Sequence, residues 1–256
     1  MKTLSKTQIA QMSARTVFKN RVKSADRSTM GKTENLIKRS TNVKLGKTVT
    51  KGKWRGFKIY TLTLEERATC PKSCAHWNDC YGNNMMYAYR YQAGAALENM
   101  LELELAELQR KNPHGFVVRL HILGDFYSVS YVAKWAKWLG MFPALHVYGY
   151  TANQPDASDK TERQIGLALL SMLENCGERW AIRFSGNFDR DHMTALSADD
   201  SRAMESVNAK QAFLCPTQIS KVTGKYAAKG EETLVPDCGA CGLCWTAEKP
   251  VVFITH

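Results

Sequence analysis

Two groups of cysteines dominate the chemistry that this sequence could perform. The first group is Cys70, Cys74 and Cys80, and the second is Cys215, Cys238, Cys241 and Cys244. Reducing compartments keep thiols free, so clustered cysteines in a chain with no apparent secretory signal indicate metal binding. We therefore predict that all seven are metal ligands. The eighth, Cys176, falls within an apolar helical pattern and is predicted to be a small core residue.

The first group has Cys-x3-Cys-x5-Cys spacing, which places three thiols on one loop. Three thiolates can hold a [4Fe–4S] cluster and leave one iron without a cysteine ligand. That open iron would be a reactive position. A structural zinc with His76 as its fourth ligand is the alternative, and chance clustering without metal is a third reading.

The second group contains a Cys-x2-Cys-x2-Cys run, the spacing that bacterial ferredoxin clusters use. Glycines between the ligands let the backbone fold tightly around a cluster. Cys215 is the predicted fourth ligand, although it could instead reach the first cluster. A zinc held by four cysteines is the alternative. The sequence thus predicts one or two [4Fe–4S] clusters.

Alternating strand-like and helix-like segments must position these cysteines. Strands are predicted at residues 57–64, 116–123, 145–150, 180–184, 212–215 and 251–255, and helices at residues 85–109, 129–139, 161–173 and 203–210. A weaker helical pattern covers residues 7–22. Steady alternation of strand and helix is typical of parallel βαβ units. About six strands are too few for a closed barrel, so we predict an α/β fold with a partial parallel (β/α)6-type barrel. An open doubly wound sheet is the alternative.

Polar residues in or directly after the predicted strands form a candidate cofactor site. This predicted set is Gly124, Asp125, Arg119 and Ser185. Function collects at the carboxyl ends of parallel strands, where Asp125 could bind a cofactor amino group. Asp125 could equally cap the following helix, as could Ser128 or Ser130. Arg119 and Arg183 are predicted anion contacts, with ordinary salt bridges as the alternative.

Basic residues are concentrated at the start of the chain. Residues 1–58 hold 16 Lys and Arg against two acidic residues, and apolar residues are sparse before residue 54. We therefore predict a basic, weakly structured arm at residues 1–53 and an α/β domain at residues 54–256. Such arms bind phosphates, so nucleic acid is the predicted partner. Tyr87, Tyr89 and Tyr91 could stack on bases or simply cover a helix surface.

The apolar stretches of the sequence are short. The run at residues 116–123 is far below the roughly 20 residues that span a bilayer, and residues 1–10 contain no apolar block. We expect a cytoplasmic protein without membrane association.

These motifs resemble those of the bacteriophage gene product 88 family. The resemblance is carried by Cys70 to Tyr81, Arg119 with Gly124-Asp125-Phe126, Tyr150-Thr151, Cys215-Pro216, and Cys238 to Trp245. It covers about residues 57–250. It implies cysteine–metal chemistry and, for a phage-encoded protein, the host cytoplasm.

A wider resemblance is to the radical S-adenosylmethionine superfamily. Members carry a three-cysteine loop after the first strand of a partial barrel and an acidic glycine-rich motif after the second, where Gly124-Asp125 stands here. The resemblance implies a radical-SAM-like barrel and an open iron that binds S-adenosylmethionine. The usual loop is Cys-x3-Cys-x2-Cys, and this chain departs from it at the third cysteine.

Taken together, the sequence predicts an iron–sulfur protein that associates with nucleic acid through residues 1–53. A radical S-adenosylmethionine enzyme using the cluster of Cys70, Cys74 and Cys80 is one alternative. A zinc-stapled nucleic-acid-binding module is the other. The sequence has no Ser-His-Asp pattern and no dinucleotide glycine fingerprint, so hydrolase and dehydrogenase functions have no support.

Overall fold

The computed structural model describes residues 14–26, 34–186, 193–198, 201–217 and 236–254. The strands are β1 Val22–Lys23, β2 Lys38–Arg39, β3 Lys58–Thr61, β4 Arg90–Tyr91, β5 Phe116–Leu120, β6 Leu145–Thr151, β7 Trp180–Ser185, β8 Thr194–Ser197, β9 Phe213–Leu214 and β10 Val251–Phe253. The helices are α1 Ala95–Lys111, α2 Val129–Met141, α3 Lys160–Cys176, α4 Ser201–Asn208, α5 Cys238–Cys241 and α6 Leu243–Thr246.

Within these residues, eight strands form one sheet in the order β2-β3-β5-β6-β7-β8-β10-β9. Strand β2 pairs antiparallel with β3, and every other neighbouring pair is parallel. The predicted α/β class with a mostly parallel sheet is therefore confirmed. From β3 to β8 the strands of the sheet are neighbours in chain order, which is what short right-handed crossovers produce.

The three long helices pack on one face of the sheet. Side chains alternate along each strand, so every second residue of β5, β6 and β7 points to the helices. These residues join the apolar faces of α1, α2 and α3 in the main core, with Trp135 and Trp138 fully buried between them. Helix α2 begins at Ser128, whose side chain accepts from the backbone N–H of Tyr131. Helix α3 begins at Asp159, as its capping pattern predicts.

The opposite face of the sheet carries the residues that matter for chemistry. Its apolar cluster contains Ile59, Val117 and Tyr148 from the strands, and it is covered by Trp54, Trp245 and Cys244. Trp54 and Trp245 stack with their ring centroids 5.3 Å apart. The same alternation that points apolar residues at the helices therefore directs Arg119, Tyr148, Tyr150 and Arg183 toward the carboxy-terminal cysteines.

The described part of residues 1–53 packs on the α/β domain. Strand β1 pairs with β4, and β2 extends the main sheet. Leu36 and Ile37 are buried in the main core, and their backbone N–H groups donate to the Glu104 carboxylate at 2.8 Å. Residues 1–13 and 27–33 lie outside the described residues. Of the predicted helix at residues 7–22, the described part contains a single 3-10 turn at Lys19–Arg21.

Several elements differ from the sequence pattern, and two are instructive. The helix predicted from residue 85 begins at Ala95, because residues 81–91 instead form a 3-10 turn and the strand that pairs with β1. Strand β8 was not predicted, since its four residues have no clear alternation of apolar and polar side chains. No helix among the described residues is long and apolar enough to cross a membrane.

Candidate metal centres

Two buried arginines shape the loop that carries the first cysteine group. Arg67 donates through Nε to the Trp77 carbonyl at 3.1 Å and through Nη2 to Asn83 at 2.9 Å. Arg90 pairs with Glu66 at 2.8 Å and donates to the carbonyls of Gly82, Met85 and Ala88. The loop follows the carboxyl end of β3, and these bonds fix it without regular secondary structure.

Arg67 has two properties that are unusual for a structural residue. Its backbone has a φ of 65°, in the left-handed region that non-glycine residues rarely adopt. Its side chain is 4% exposed, yet Nη1 has no hydrogen-bond partner among the described residues. Arg67 lies close enough to Cys80 to oppose the rise that burial causes in the pKa of that thiol. The loop therefore holds a buried donor that has no partner among the described residues, on a side chain whose charge acts on Cys80.

Backbone N–H groups point at sulfurs in both cysteine groups. The donor lies two residues after the cysteine in three cases: His76 for Cys74, Gly82 for Cys80 and Leu243 for Cys241. For Cys70 the donor is the backbone of Arg67. Each bond lowers the pKa of its thiol, because hydrogen bonds to sulfur favour the ionised form. The backbone is thus arranged for thiolates.

Burial works in the opposite direction on the same thiols. It raises the pKa of Cys74 to about 11, and the Asp125 carboxylate and Cys80 add to the rise. The pKa of Cys70 is raised well above its usual value, chiefly by burial and then by Asp125. Near neutral pH these thiols keep their protons unless a cation replaces them.

Asp125 and Gly124 join the first cysteine loop to the ends of β5 and β6. The Asp125 carboxylate accepts from Thr151 Oγ1 at 2.8 Å and from the backbone of Ala152 and Phe126 at 2.7 Å each. Burial nevertheless raises its pKa to about 6. Gly124 has a φ of 82°, and a Cβ there would lie 2.6 Å from Thr69 Oγ1, so only glycine fits.

The second cysteine group lines a small cavity on the face opposite the long helices. Its lining includes Cys215, Cys238, Cys241 and Cys244. The structure therefore brings Cys215 to the second group and not to the first. Asp237 caps α5 by accepting from the Ala240 backbone at 2.7 Å, and Gly242, with a φ of 73°, lets the chain turn directly into α6. Two short helical turns thereby direct three cysteines at one cavity.

Two tyrosines of β6 approach this cavity. The Tyr150 hydroxyl donates to Cys244 Sγ at 2.8 Å. The Tyr148 side chain is fully buried, and its hydroxyl has no partner among the described residues. Burial raises the pKa of Tyr148, and Cys238 makes the next largest contribution to that rise. Tyr148 and Cys238 pack in the same apolar cluster.

Arg183 holds the carboxy-terminal cysteine run against the sheet. The side chain is fully buried, and it donates to the carbonyls of Leu243, Cys244 and Ala247 at 2.7 to 3.1 Å. The Leu243 carbonyl also accepts from the Ala247 backbone N–H at 2.9 Å, so Arg183 binds it as a second donor. Arg183 therefore fixes α6 by binding its backbone, a role distinct from the anion contact and the salt bridge that the sequence allowed.

Arg119 lies on the same face of the sheet as the second cysteine group, over the rings of Tyr148 and Tyr150. Its guanidinium stacks over Tyr150 at 4.4 Å from the ring centroid and donates to the Leu120 carbonyl. Its charge opposes the rise that burial causes in the pKa of Cys238 and Cys244. Arg119 thus places a positive charge near the second cysteine group.

The remaining predicted residues lie away from these contacts. The His76 side chain is exposed and lies 3.4 Å from Asp79. Ser185 is exposed at the end of β7, where its carbonyl accepts from Gln154. Cys176 packs against the main core, as predicted. Across the described ranges, no three or more His, Cys, Asp or Glu side chains are arranged to hold a metal ion.

The family of the chain follows from comparison with known proteins. A sequence model described as Gene product 88 matches residues 31–247. The chain belongs to the gene product 88 family. It is also 26% identical over 147 residues to the Gene 88 protein of Mycobacterium phage D29, an overlap of 57% of each chain. The chain thus spans little more than half of that relative. No solved structure matches.

The family match confirms the resemblance that the cysteine motifs indicated. The matched region also extends further toward the amino terminus than that resemblance did. The family begins at residue 31 and so includes β2, which the sequence analysis had assigned to the basic arm. Membership in the gene product 88 family leaves the radical S-adenosylmethionine resemblance without support from the comparisons.

Sequence reasoning missed the residues that finish the two sites. Arg67 precedes the first cysteine group and Arg90 follows it, but neither belongs to a recognisable motif. Their partners are mostly backbone carbonyls. The positions of Tyr148 and Tyr150 could have been predicted from strand alternation. Apolar Val147 points to the helices, so the rings of Tyr148 and Tyr150 belong on the opposite face.

Proposed function

We propose that this member of the gene product 88 family binds two iron–sulfur clusters. Cys70, Cys74 and Cys80 hold the first cluster, and Cys215, Cys238, Cys241 and Cys244 hold the second. The observation that carries the proposal is that Cys215, Cys238, Cys241 and Cys244 line one cavity. Backbone hydrogen bonds also lower the pKa of thiols in both groups, and such bonds are a means by which proteins stabilise cluster thiolates and tune their potentials.

Unsatisfied donors support the same assignment. Among the described residues, Arg67 Nη1 and the Tyr148 hydroxyl are buried without partners. Arg67 lies three residues before Cys70, and Tyr148 packs in one apolar cluster with Cys238. A buried donor without a partner costs about 1–3 kcal/mol. Inorganic sulfide carries negative charge and accepts hydrogen bonds, so a cluster in each site would satisfy both donors. Bound clusters supply capacity for one-electron transfer, while the chain supplies the thiolates and the donors around them.

The first site has three cysteines, which leaves one iron of a four-iron cluster able to bind a further ligand. The site follows the carboxyl end of β3, and Asp125 borders it. The Asp125 carboxylate is already bound by Thr151, Ala152 and Phe126. We therefore assign Asp125 to positioning the loop and not to binding a ligand amine.

We further propose that the sheet curves as a partial barrel around this site. Strand neighbours follow chain order, and the three long helices share one face, which favours a singly wound sheet over a doubly wound one. The curved inner face would then carry Arg119 and the second cysteine group.

Anaerobic purification of the full chain, with iron and acid-labile sulfide counts, tests the proposal. We expect brown protein with about four irons per cluster. Cys74→Ser should remove about half of the iron and Cys241→Ser the other half, with distinct changes in the electron paramagnetic resonance spectrum of the reduced protein. Cys176→Ser is the matched control and should keep all of it. Colourless protein containing zinc, or iron counts that neither variant changes, would overturn the assignment.

A further inference from the structure

We propose that single-stranded nucleic acid binds a surface formed by Tyr87, Tyr89, Arg21, Lys23 and Lys38, the aromatic–basic surface. It lies next to the first cysteine loop, since Tyr87 is seven residues from Cys80. The inference is independent of iron, because it rests on exposed rings and cations outside both cysteine groups.

The rings are presented to solvent. Tyr87 is 79% exposed, and Tyr89 is 37% exposed. Two other large side chains of the same stretch, Tyr81 and Met86, are 48% and 43% exposed. Four large apolar side chains exposed within nine residues are unusual for a soluble domain and are typical of a binding surface. Tyrosine suits such a surface, since its ring stacks on bases while its hydroxyl stays hydrated.

Cations converge on one of these rings, that of Tyr89. Lys23 Nζ lies 3.8 Å from the Tyr89 ring centroid, and Arg21 and Lys38 lie 5.5 and 5.4 Å from it. The pairing of β1 with β4 causes this, because the parallel register sets Val22 opposite Arg90 and Lys23 opposite Tyr91. Glu34 bonds Lys23 at 2.8 Å, so the local charge stays positive but is partly offset.

This chemistry favours a single strand over a duplex. Stacking on Tyr87 requires an unpaired base whose face is free, which a duplex hides. Phosphates along the same strand would then meet Arg21 and Lys38, and counterion release would add affinity. The exposed Tyr87 ring lies two residues from Tyr89, whose ring the cations contact. This pattern fits a base and its phosphate, whereas an acidic peptide would use only the cations.

Fluorescence anisotropy with the full, anaerobically purified chain tests the proposal. The probes are labelled oligo-dT and oligo-U strands of about 12 nucleotides, within the usual site sizes, and a DNA duplex of the same length. We expect tighter binding of at least one single strand than of the duplex, and the two single strands distinguish DNA from RNA. Tyr87→Ala should weaken that binding about five- to tenfold, the effect of one lost stacking contact. Tyr87→Phe should retain it.

The opposite edge of the sheet provides the matched control. Phe213 is 38% exposed with Lys249 Nζ 5.7 Å from its ring, so it is also an exposed ring beside a cation. Phe213→Ala and Lys249→Gln should leave affinity unchanged, while Arg21→Gln should reduce the dependence of log affinity on log salt by about 0.7. Equal binding of duplex and single strands, or a Tyr87→Ala protein that binds as tightly as the parent, would overturn the proposal.

Discussion

At the scale of single residues, hydrogen-bond donors surround both cysteine groups. Arg67 Nη1 and the Tyr148 hydroxyl are buried donors without partners in the described part of the chain, Tyr150 donates to Cys244, and Arg183 binds the backbone of α6. The cysteines themselves could be predicted because their spacing is a local property of the sequence. The donors could not be predicted, because the fold brings each of them to a partner that is distant in the sequence. Arg183 is 61 residues from Cys244, and Tyr150 is 94 residues from it.

The Tyr150 hydroxyl should raise the reduction potential of the cluster proposed at the second cysteine group. A donor to the thiolate stabilises the reduced cluster, which carries more negative charge, over the oxidised one. We expect Tyr150→Phe to lower that potential by about 40 mV, equivalent to ~1 kcal/mol for one electron. A redox titration followed by electron paramagnetic resonance measures the shift.

The matched control is Tyr127→Phe. Tyr127 also donates a hydrogen bond, to Glu98 at 2.8 Å, but it lies on the helical side of the sheet. Tyr127→Phe should leave the potentials of both clusters unchanged. In Tyr150→Phe, the potential of the first cluster should also keep its parental value. A uniform shift of both clusters, or none at the second, would show that the hydroxyl has no specific effect on potential.

At the scale of elements, periodicity predicted the helices and central strands but not their connections. Helix α3 shows why. Asp159 caps it as the sequence indicates, yet Glu162 does not bond back to the start of the helix as a capping box would. Its carboxylate instead accepts from Ser73 Oγ at 2.6 Å. A residue 89 positions away competes for this side chain, and no local pattern contains that information.

The bond between Glu162 and Ser73 should hold the first cysteine loop in place. Glu162 is nearly buried, so Glu162→Gln weakens a charge-assisted bond and should reduce the free energy of unfolding by about 1–2 kcal/mol. We also expect the first cluster to lose iron to a chelator several times faster, measured as the decay of visible absorbance. Glu174→Gln, on the exposed carboxy-terminal part of α3, is the control and should match the parent. Faster loss from the second cluster alone would contradict this role.

At the scale of the whole molecule, the amino-terminal segment and the α/β domain form one structure over the described residues. Composition predicted a separate arm at residues 1–53, because apolar residues there are sparse. A few of them suffice: Leu36, Ile37 and Val49 are each at most 3% exposed. The family match from residue 31 agrees with this packing. Deleting residues 1–53 would therefore remove part of the core and of the sheet, so point variants are the sound test of nucleic-acid binding.

We expect the Glu104 carboxylate to hold the amino-terminal segment against helix α1. Its two oxygens accept from the backbone of Leu36 and Ile37, which would otherwise be buried donors without partners. Glu104→Gln leaves one acceptor oxygen for two donors, so we expect a loss of about 2 kcal/mol in the free energy of unfolding. Hydrogen exchange should speed up at Leu36 or Ile37 before the central strands respond. Glu107→Gln, on the exposed face of the same helix, should change neither quantity. If exchange at these two amides instead keeps its parental rate in Glu104→Gln, the segment is held by its apolar contacts, and the carboxylate only fills space.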